Sequence, residues 1–296
     1  MQALLDAIAR ATPGQDACRV FHGRGGLYPG CEHLSLDWYA PVWVLTSFLP
    51  LTEAQLQTVQ VALAARGEAL NWVYQCRDSG RTETRLMAGQ VPDPHVVMEQ
   101  GARYRVHVLK GQNHGLFLDM ACGRQWLREQ AQGRRVLNLF AYTCAFSVAA
   151  LQGDAQEVVN VDMAAGALAI GQHNHQLNGL TGARFLAHDL FKSWGKVKRM
   201  GPYDIVVADP PSYQKGSFVA TKDYARVVRR LPELLAPGGQ ALLCLNAPEL
   251  PDLFLRDLVA AEAPDLPFVQ RLDNPAAFAD VDPQRALKVM LFQMPG

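Results

Sequence analysis

The sequence predicts an α/β fold: a doubly wound, mostly parallel, seven-stranded sheet, preceded by a small N-terminal α+β domain and a connecting β-hairpin. Five apolar runs, VLNLF (136–140), EVVNVD (157–162), ARFLAHD (183–189), DIVVAD (204–209) and QALLCLN (240–246), alternate with helical stretches. Runs that are apolar on both faces and spaced by helices belong to a parallel sheet covered on both sides. Two further runs, VQRL (269–272) and LKVMLFQM (287–294), bring the strands to seven. The composition, 296 residues with 49% apolar and 19% charged, is that of a globular chain and excludes disordered and fibrous classes.

Taken in order, the N-terminal MQALLDAIARATPG carries Asp6 and Arg10 inside its apolar pattern, so it is no signal peptide. GRGGLYPG (23–30) is turn-forming by its glycines, either as a plain turn or as a phosphate-cradling loop. VWVLTSFL (42–49) and WVYQCR (72–77) read as strands, separated by a helix over 52–67 that opens at Thr52-Glu53 and closes at Gly67. VPDP (91–94) reads as a linker. ARYRVHVL (102–109) and HGLFLDM (114–120), joined by KGQN, are expected to pair as a hairpin. The expected divisions are a small domain over 1–98, a candidate substrate-binding unit, then the hairpin over 99–120 and the sheet domain over 121–296.

No apolar stretch approaches the roughly 20 residues of a membrane span. The six cysteines form no CxxC pair, which predicts reduced thiols in the cytoplasm and no metal site. The formal charge of zero argues against a body that binds nucleic acid indiscriminately. The charges are nonetheless segregated: 189–230 holds nine basic and four acidic residues, and 231–296 holds four and nine.

In an open α/β sheet, ligands bind outside the carboxyl ends of the strands. Those ends carry NLFAYTCAF (138–146), Asp162-Met163, His188-Asp189-Leu190 and DPPSY (209–213). Asp162, about twenty residues past the first turn, is placed to hold ribose hydroxyls or to cap the next helix. Asp189 repeats that logic one strand over, with an adenine amine as its partner. The first turn lacks G-x-G-x-x-G, so a pyrophosphate cannot approach closely, and S-adenosylmethionine fits better than NAD. In DPPSY, two prolines rigidify the turn and leave the Asp209 carboxylate and the Pro210 carbonyl to accept from a planar amine. Tyr213 would stack on that base.

The strings VLNLFAYTCAFSVAAL, VVNVDMAAGALAIGQHNHQLNGL, HDLF, DIVVADPPSY and LAPGGQALLCLN resemble the class I S-adenosylmethionine-dependent methyltransferases, most closely the bacterial 23S ribosomal RNA large-subunit group. EQGARYRVHVLKGQNHGLFLDM (99–120) resembles that group's hairpin, and FHGRGGLYPGCEHLSLDW (21–38) its small central domain. The resemblance implies a Rossmann-like domain, S-adenosyl-L-methionine as cofactor and RNA as partner. By the same resemblance Asn138, Phe140, Tyr142 and Thr143 lie along the cofactor's methionine end, with Asp162 and Met163 at the ribose. Asp189 and the Leu190 backbone hold the adenine, Asp209 sits between cofactor and target, and Phe117 and Asp119 close over the cofactor. Cys144 and Ala145 stand where the family has two glycines, and the family's N-terminal PUA domain has no room in these residues.

The methyl acceptor follows from the residues at hand. Cytosine-C5 methylation needs a thiolate nucleophile. Cys244 stands two residues before the expected place, recessed by roughly 6.6 Å at about 3.3 Å per residue, and reads as a core thiol. Nitrogen methylation needs positioning and a hydrogen-bond acceptor, which DPPSY supplies. A nucleobase nitrogen of guanine or adenine is therefore favoured. Alternatives are cytosine C5, a protein or small-molecule acceptor, and a non-catalytic RNA-binding factor. Lys192, Lys196, Lys198 and Arg199 follow the third strand, and Lys215, Lys222, Arg226, Arg229 and Arg230 follow DPPSY. They form either a basic patch for RNA or a solvated helix face. His173 and His175 read as surface residues.

Overall fold

The computed structural model describes residues 1–67, 69–211, 213–214 and 218–296, excepting the side chains of Tyr213 and Gln214. The chain forms two compact units: 1–118 with 275–283, and 119–274 with 284–296.

The first unit runs α1 (Gln2–Arg10), β1 (Cys18–His22), β2 (Leu34–Tyr39), β3 (Val42–Ser47), α2 (Glu53–Ala64), β4 (Trp72–Asp78), β5 (Arg81–Ala88), β6 (His95–Glu99) and β7 (Ala102–Val106). Strands β1 to β5 form one sheet in sequence order, parallel only at β3–β4 because α2 carries the chain back between them. Leu34, Leu36, Trp43, Leu45 and Trp72 alternate onto one face and pack with Leu4 and Ile8 of α1 and Leu56, Val59 and Leu63 of α2. Thr52 caps α2 reciprocally: its Oγ1 accepts from the Gln55 amide at 3.2 Å, and Gln55 Oε1 accepts from the Thr52 amide at 2.8 Å. Thr52→Ala is expected to cost about 1 kcal/mol, read as an earlier urea transition.

The expected hairpin over 99–120 is corrected. The paired strands are β6 and β7, joined by Gln100 and Gly101, both at positive φ, as a two-residue turn of this kind requires. Residues 107–116 pair with no strand and lie over the second face of the sheet. Side chains hold their backbone there: Gln75 Nε2 donates to the Gly111 carbonyl at 2.8 Å, and Tyr39 Oη to that of Leu116 at 3.3 Å. Gly115, at φ 103, passes so close to β7 that a Cβ would lie 2.9 Å from the Arg105 carbonyl. The 275–283 excursion returns to this unit, where Val281 N–H donates to the Gly25 carbonyl at 2.8 Å.

The second unit contains α3 (Ala121–Gln130), β8 (Arg135–Leu139), α4 (Ala145–Gln152), β9 (Glu157–Asp162), α5 (Ala165–Leu177), β10 (Ala183–Ala187), α6 (Leu190–Arg199) and β11 (Tyr203–Ala208). The two-residue strands β12 (Tyr213–Gln214) and β13 (Phe218–Val219) follow, then α7 (Ala220–Val228), α8 (Leu231–Leu234), β14 (Leu235–Leu245), α9 (Asp252–Glu262), β15 (Phe268–Leu272) and β16 (Lys288–Gln293). The sheet order is β10-β9-β8-β11-β14-β16-β15, parallel through β14, with β16 and β15 antiparallel. Seven strands, mostly parallel, bear out the expected α/β architecture. Alternate residues feed two cores. Leu137, Val206 and Leu243 meet α6 to α9 through Val197, Tyr224, Leu234 and Val259. Val136, Val207 and Leu242 meet α3 and α4 through Leu127, Phe146 and Ala150. The order of strands turns back on either side of β8, so its carboxyl end stands at the switch point.

Candidate active site

Parallel register brings the four strand ends named above to one level. Leu139 lies opposite Val161 and Ala208, and Ala187 opposite Asp162. Just past them the Ala141 amide donates to the Val161 carbonyl at 3.1 Å and the His188 amide to that of Asp162 at 3.0 Å.

The loop after β8 is held in a costly shape. Phe140, Tyr142 and Cys144 have φ of 58°, 47° and 61°, the left-handed region that non-glycine residues rarely adopt. Such strain persists where surroundings over-determine it. Here the Tyr142 amide donates to Asp162 Oδ2 at 2.8 Å, the Cys144 amide to the Ala141 carbonyl at 2.7 Å, and Asn174 Nδ2 to the Thr143 carbonyl at 3.0 Å. Asp162 Oδ1 accepts from the Ala164 amide at 2.8 Å, so one carboxylate fixes both the loop and the start of α5. Cys144 turns away from the rim and is fully buried with Ala141 and Leu168. Burial, then Asp162, raises its thiol well above the usual range.

Behind this loop lies a buried chain of polar side chains. Asn138 Nδ2 donates to Asn160 Oδ1 at 2.9 Å, Asn160 Nδ2 to Ser147 Oγ at 3.0 Å, and Ser147 Oγ lies 2.9 Å from His175 Nε2. His175 Nδ1 lies 2.7 Å from the Gly171 carbonyl. His175 is therefore core, not surface, because α5 turns that face onto α4 and β10; His173 remains exposed. Asn138 and Thr143 are only 2% and 1% exposed, so their side chains lie beneath the rim. Phe140 and Tyr142 are partly exposed, and Met163 is 54% exposed.

Asp189 caps α6, accepting from the Phe191 amide at 3.0 Å, and pairs with Lys192 at 3.2 Å; Leu190 is buried. At the end of β11, Asp209 is partly buried and its amide donates to the Leu139 carbonyl at 3.4 Å. Burial, then the nearby Asp119, pushes its carboxyl up to about 7, against the opposing pull of Arg124. Pro210 is buried. The Tyr213 side chain and Lys215 lie outside the described residues. Phe117, 40% exposed, belongs to the first unit, while Asp119 opens the second.

Two buried cations were not anticipated. Arg124 on α3 is 3% exposed, and Lys288 on β16 is fully buried with Nζ donating to the Ala247 carbonyl at 2.8 Å. In GRQWLREQ the arginine reads as a solvent face, and only the Lys that opens the apolar KVMLF was a visible anomaly. Cys244 is fully buried, raised by burial and then by Asp209 and Asp119, which fits a core thiol and not a nucleophile.

The expected basic patch is largely neutralised. Lys198 pairs with Glu233 at 2.7 Å, Arg226 with Asp223 at 2.9 Å, Arg229 with Glu262 at 2.5 Å and Arg230 with Glu233 at 3.1 Å. Arg226 also lies over the Phe191 ring, 3.8 Å from its centroid. Lys196 Nζ sits 2.8 Å from His188 Nε2, and Lys222 is exposed. The acids of the C-terminal region thus quench part of the basic excess directly. Among the described residues no helix is long and apolar enough to cross a membrane, and no three His, Cys, Asp or Glu side chains gather as metal ligands.

A doubly wound sheet with acids at the ends of successive parallel strands and no glycine fingerprint defines an α/β protein for a nucleoside ligand. Residues 18–293 match the S-adenosylmethionine-dependent methyltransferase family model, and the chain belongs to that family. It is 35% identical over 248 residues to ribosomal RNA large subunit methyltransferase I of Aeromonas hydrophila, covering 79% of this chain and 62% of that protein. It is 32% identical over 300 residues to the protein of the same name from Photobacterium profundum, covering 93% and 72%. The chain thus spans less than two thirds of the Aeromonas relative. A solved putative S-adenosylmethionine-dependent methyltransferase from Streptococcus mutans has the same fold, with TM-score 0.84 at 23% identity over 99% of this chain and 81% of that one.

Proposed function

We propose that the chain methylates a nucleobase nitrogen in RNA, ribosomal RNA foremost, in the cytoplasm, using S-adenosylmethionine. The observation that carries this reading is the Asp209-Pro210 turn at the switch-point edge, with the Cys244 thiol near it fully buried. The names of the matching relatives support the RNA class.

The donor set fits this cofactor. Asp209 and Asp119 bring two carboxyls close enough to raise one of them, a repulsion that a cationic ligand relieves. When bound, S-adenosylmethionine supplies an electrophilic methyl group on a positively charged sulfur. Asp162 would hold the ribose, Asp189 and the Leu190 backbone the adenine, and Phe140, Tyr142 and Met163 would flank them. Asp119 would close the site. Asn138 and Thr143, buried beneath the rim, would act by fixing the loop that carries Phe140 and Tyr142. The Asp209 carboxylate and the Pro210 carbonyl would accept the N–H bonds of the target amine, aim its lone pair in line with the methyl group, and take up the proton it loses. Tyr213 would stack on the base. Lys192, Lys196, Lys198, Lys215, Lys222 and Arg226 would steer the RNA, with Lys196 and Lys222 contributing most because acids offset Lys192, Lys198 and Arg226.

Incubation with labelled cofactor and ribosomal RNA from a strain lacking the protein is expected to label the RNA, and Asp209→Ala to lower the rate by about 100-fold or more. A fully active alanine variant refutes the role of Asp209. Label confined to RNase-resistant material moves the acceptor to a protein or small molecule. No binding at about millimolar cofactor leaves a non-catalytic RNA-binding factor.

A further inference from the structure

The rings of Phe140, Phe191, Phe218 and Tyr224 gather where the loop after β8, α6, β13 and α7 meet at the candidate site. Phe218 is only 1% exposed, although it belongs to a two-residue strand. Its ring meets that of Phe140 edge-on at 5.3 Å and that of Tyr224 edge-on at 5.9 Å, and lies 17° from parallel to that of Phe191 at 6.4 Å. Ring pairs at such distances attract beyond what burial alone supplies.

Each partner of Phe218 has its own place. Phe140, at φ 58°, opens the strained loop that flanks the cofactor in the reading above. The Phe191 amide donates at 3.0 Å to Asp189, the acid assigned there to the adenine. Tyr224 is fully buried and ties the cluster to the sheet: its hydroxyl donates to the Cys244 carbonyl at 2.8 Å and lies 3.4 Å from that of Ala208, the residue before Asp209. On the outer side the exposed Arg226 lies 3.8 Å from the Phe191 centroid. The cluster thus runs from the surface of α7 to the switch point.

Phe218 also answers to the other side of the site. The Asp209-Pro210-Pro211 turn leads into β12, which pairs antiparallel with β13, Tyr213 opposite Val219 and Gln214 opposite Phe218. The Val219 amide donates to Asp223 Oδ2 at 2.9 Å, fastening the end of β13 to the first turn of α7. A two-stranded ladder this short does not hold itself in water. The side chain that anchors β13 in the core, Phe218, therefore also sets where β12 lies.

We propose that Phe218 is a positioning residue that couples the two ligand sites: it seats the strand leaving the base-holding turn against Phe140 and Phe191, so that cofactor and RNA each strengthen the other's binding. The inference rests on the RNA reading above and adds which side chain links the methyl donor's pocket to the acceptor's. An adenosyl group beside Phe140 and Phe191 steadies those rings, they steady Phe218, and the base meets a turn already in place. Thermodynamic linkage makes the gain reciprocal.

The test is Phe218→Leu in the full chain, which keeps an apolar side chain in the core and removes the ring. Binding of S-adenosylhomocysteine, which has no methyl to transfer, is measured by calorimetry with and without saturating unmodified ribosomal RNA. RNA is expected to tighten that binding about fivefold or more in the wild type, and the ratio to fall to about 1 in Phe218→Leu. Val259→Ala, a buried change on α9 in the same core but outside the ring cluster, should lower stability and keep the wild-type ratio. Phe191→Leu, at a partly exposed position, breaks the cluster from the cofactor side and decides the matter if Phe218→Leu does not fold; its ratio should fall as well. A wild type that binds and methylates RNA without this coupling overturns the inference alone, as does either leucine variant with the wild-type ratio or a Val259→Ala protein that loses it. A wild type that binds no RNA overturns the RNA reading as well.

Discussion

Asp209→Asn is expected to flatten the pH dependence of S-adenosylmethionine binding. In the free protein burial, then Asp119, hold the carboxyl up from 3.8 to about 7. Facing a cationic ligand it must ionise, so binding releases a proton wherever the free group is protonated. Wild-type Kd should fall about tenfold per pH unit up to about 7 and then level off. Asparagine has no proton to release, and its curve should be flat. Calorimetry in buffers of different ionisation enthalpy counts the proton directly; parallel curves for the two proteins would remove Asp209 from the binding site.

The same carboxyl has a stability signature of definite sign. Its folded value is raised, so between about pH 4 and 7 the folded state keeps a proton that the unfolded chain has released. Stability therefore falls as pH rises through that window. Asp209→Asn escapes this loss: it should match the wild type near pH 4 and melt higher at pH 8, with a ceiling of about 4 kcal/mol. Gaining stability while losing methyl transfer would mark a strained functional carboxyl. Equal melting temperatures at pH 8 would mean that the group is solvated.

Much of this architecture is legible in the sequence. Alternation of apolar runs with helices fixes the parallel sheet, because a strand buried on both faces needs a distinctive run. β1, β2, β5 and β6 are less visible; in β2, Ser35 and Asp37 are buried polar residues whose partner, Arg19, lies on another strand, so that strand lacks clean alternation. The hairpin register is misread because HGLFLDM has strand-like composition, yet Gly115 and the side-chain bonds of Gln75 and Tyr39 turn it across the sheet face. At the site, the acids at strand ends are readable since strand order alone places them. Arg124 and His175 are not, because helical periodicity does not say which polar residue turns inward to meet a buried partner. The basic excess over 189–230 is real, but its ion pairs with Glu233 and Glu262 come from outside that window.

Cys144, where the resembling family has glycine, yields the last expected result: Gly171→Ala should destabilise the protein, although alanine in a helix interior normally gains about 1 kcal/mol over glycine. A Cβ at Gly171 would lie 2.5 Å from Cys144 Sγ and 3.0 Å from its Cβ. Cys144 cannot yield, since Ala141 and Leu168 enclose it and its backbone is tied to the Ala141 carbonyl. Overpacking of this kind costs roughly 1–3 kcal/mol and reverses the helical gain. Cys144→Gly removes the obstructing thiol and suits the φ of 61°. In the double variant the new methyl fills the space the sulfur left, so Gly171→Ala/Cys144→Gly should be at least as stable as the wild type. A double-mutant cycle in urea should give a coupling of roughly 2 kcal/mol. Because Thr143 and Tyr142 share the strained loop, Gly171→Ala should also weaken S-adenosylmethionine binding, and the double variant should restore it. Additive effects on stability would show that the thiol moves aside freely. Coupled stability with unchanged cofactor affinity would show that the loop's shape is set by Asp162 and Asn174 alone, and that α5 is free to carry either residue pair.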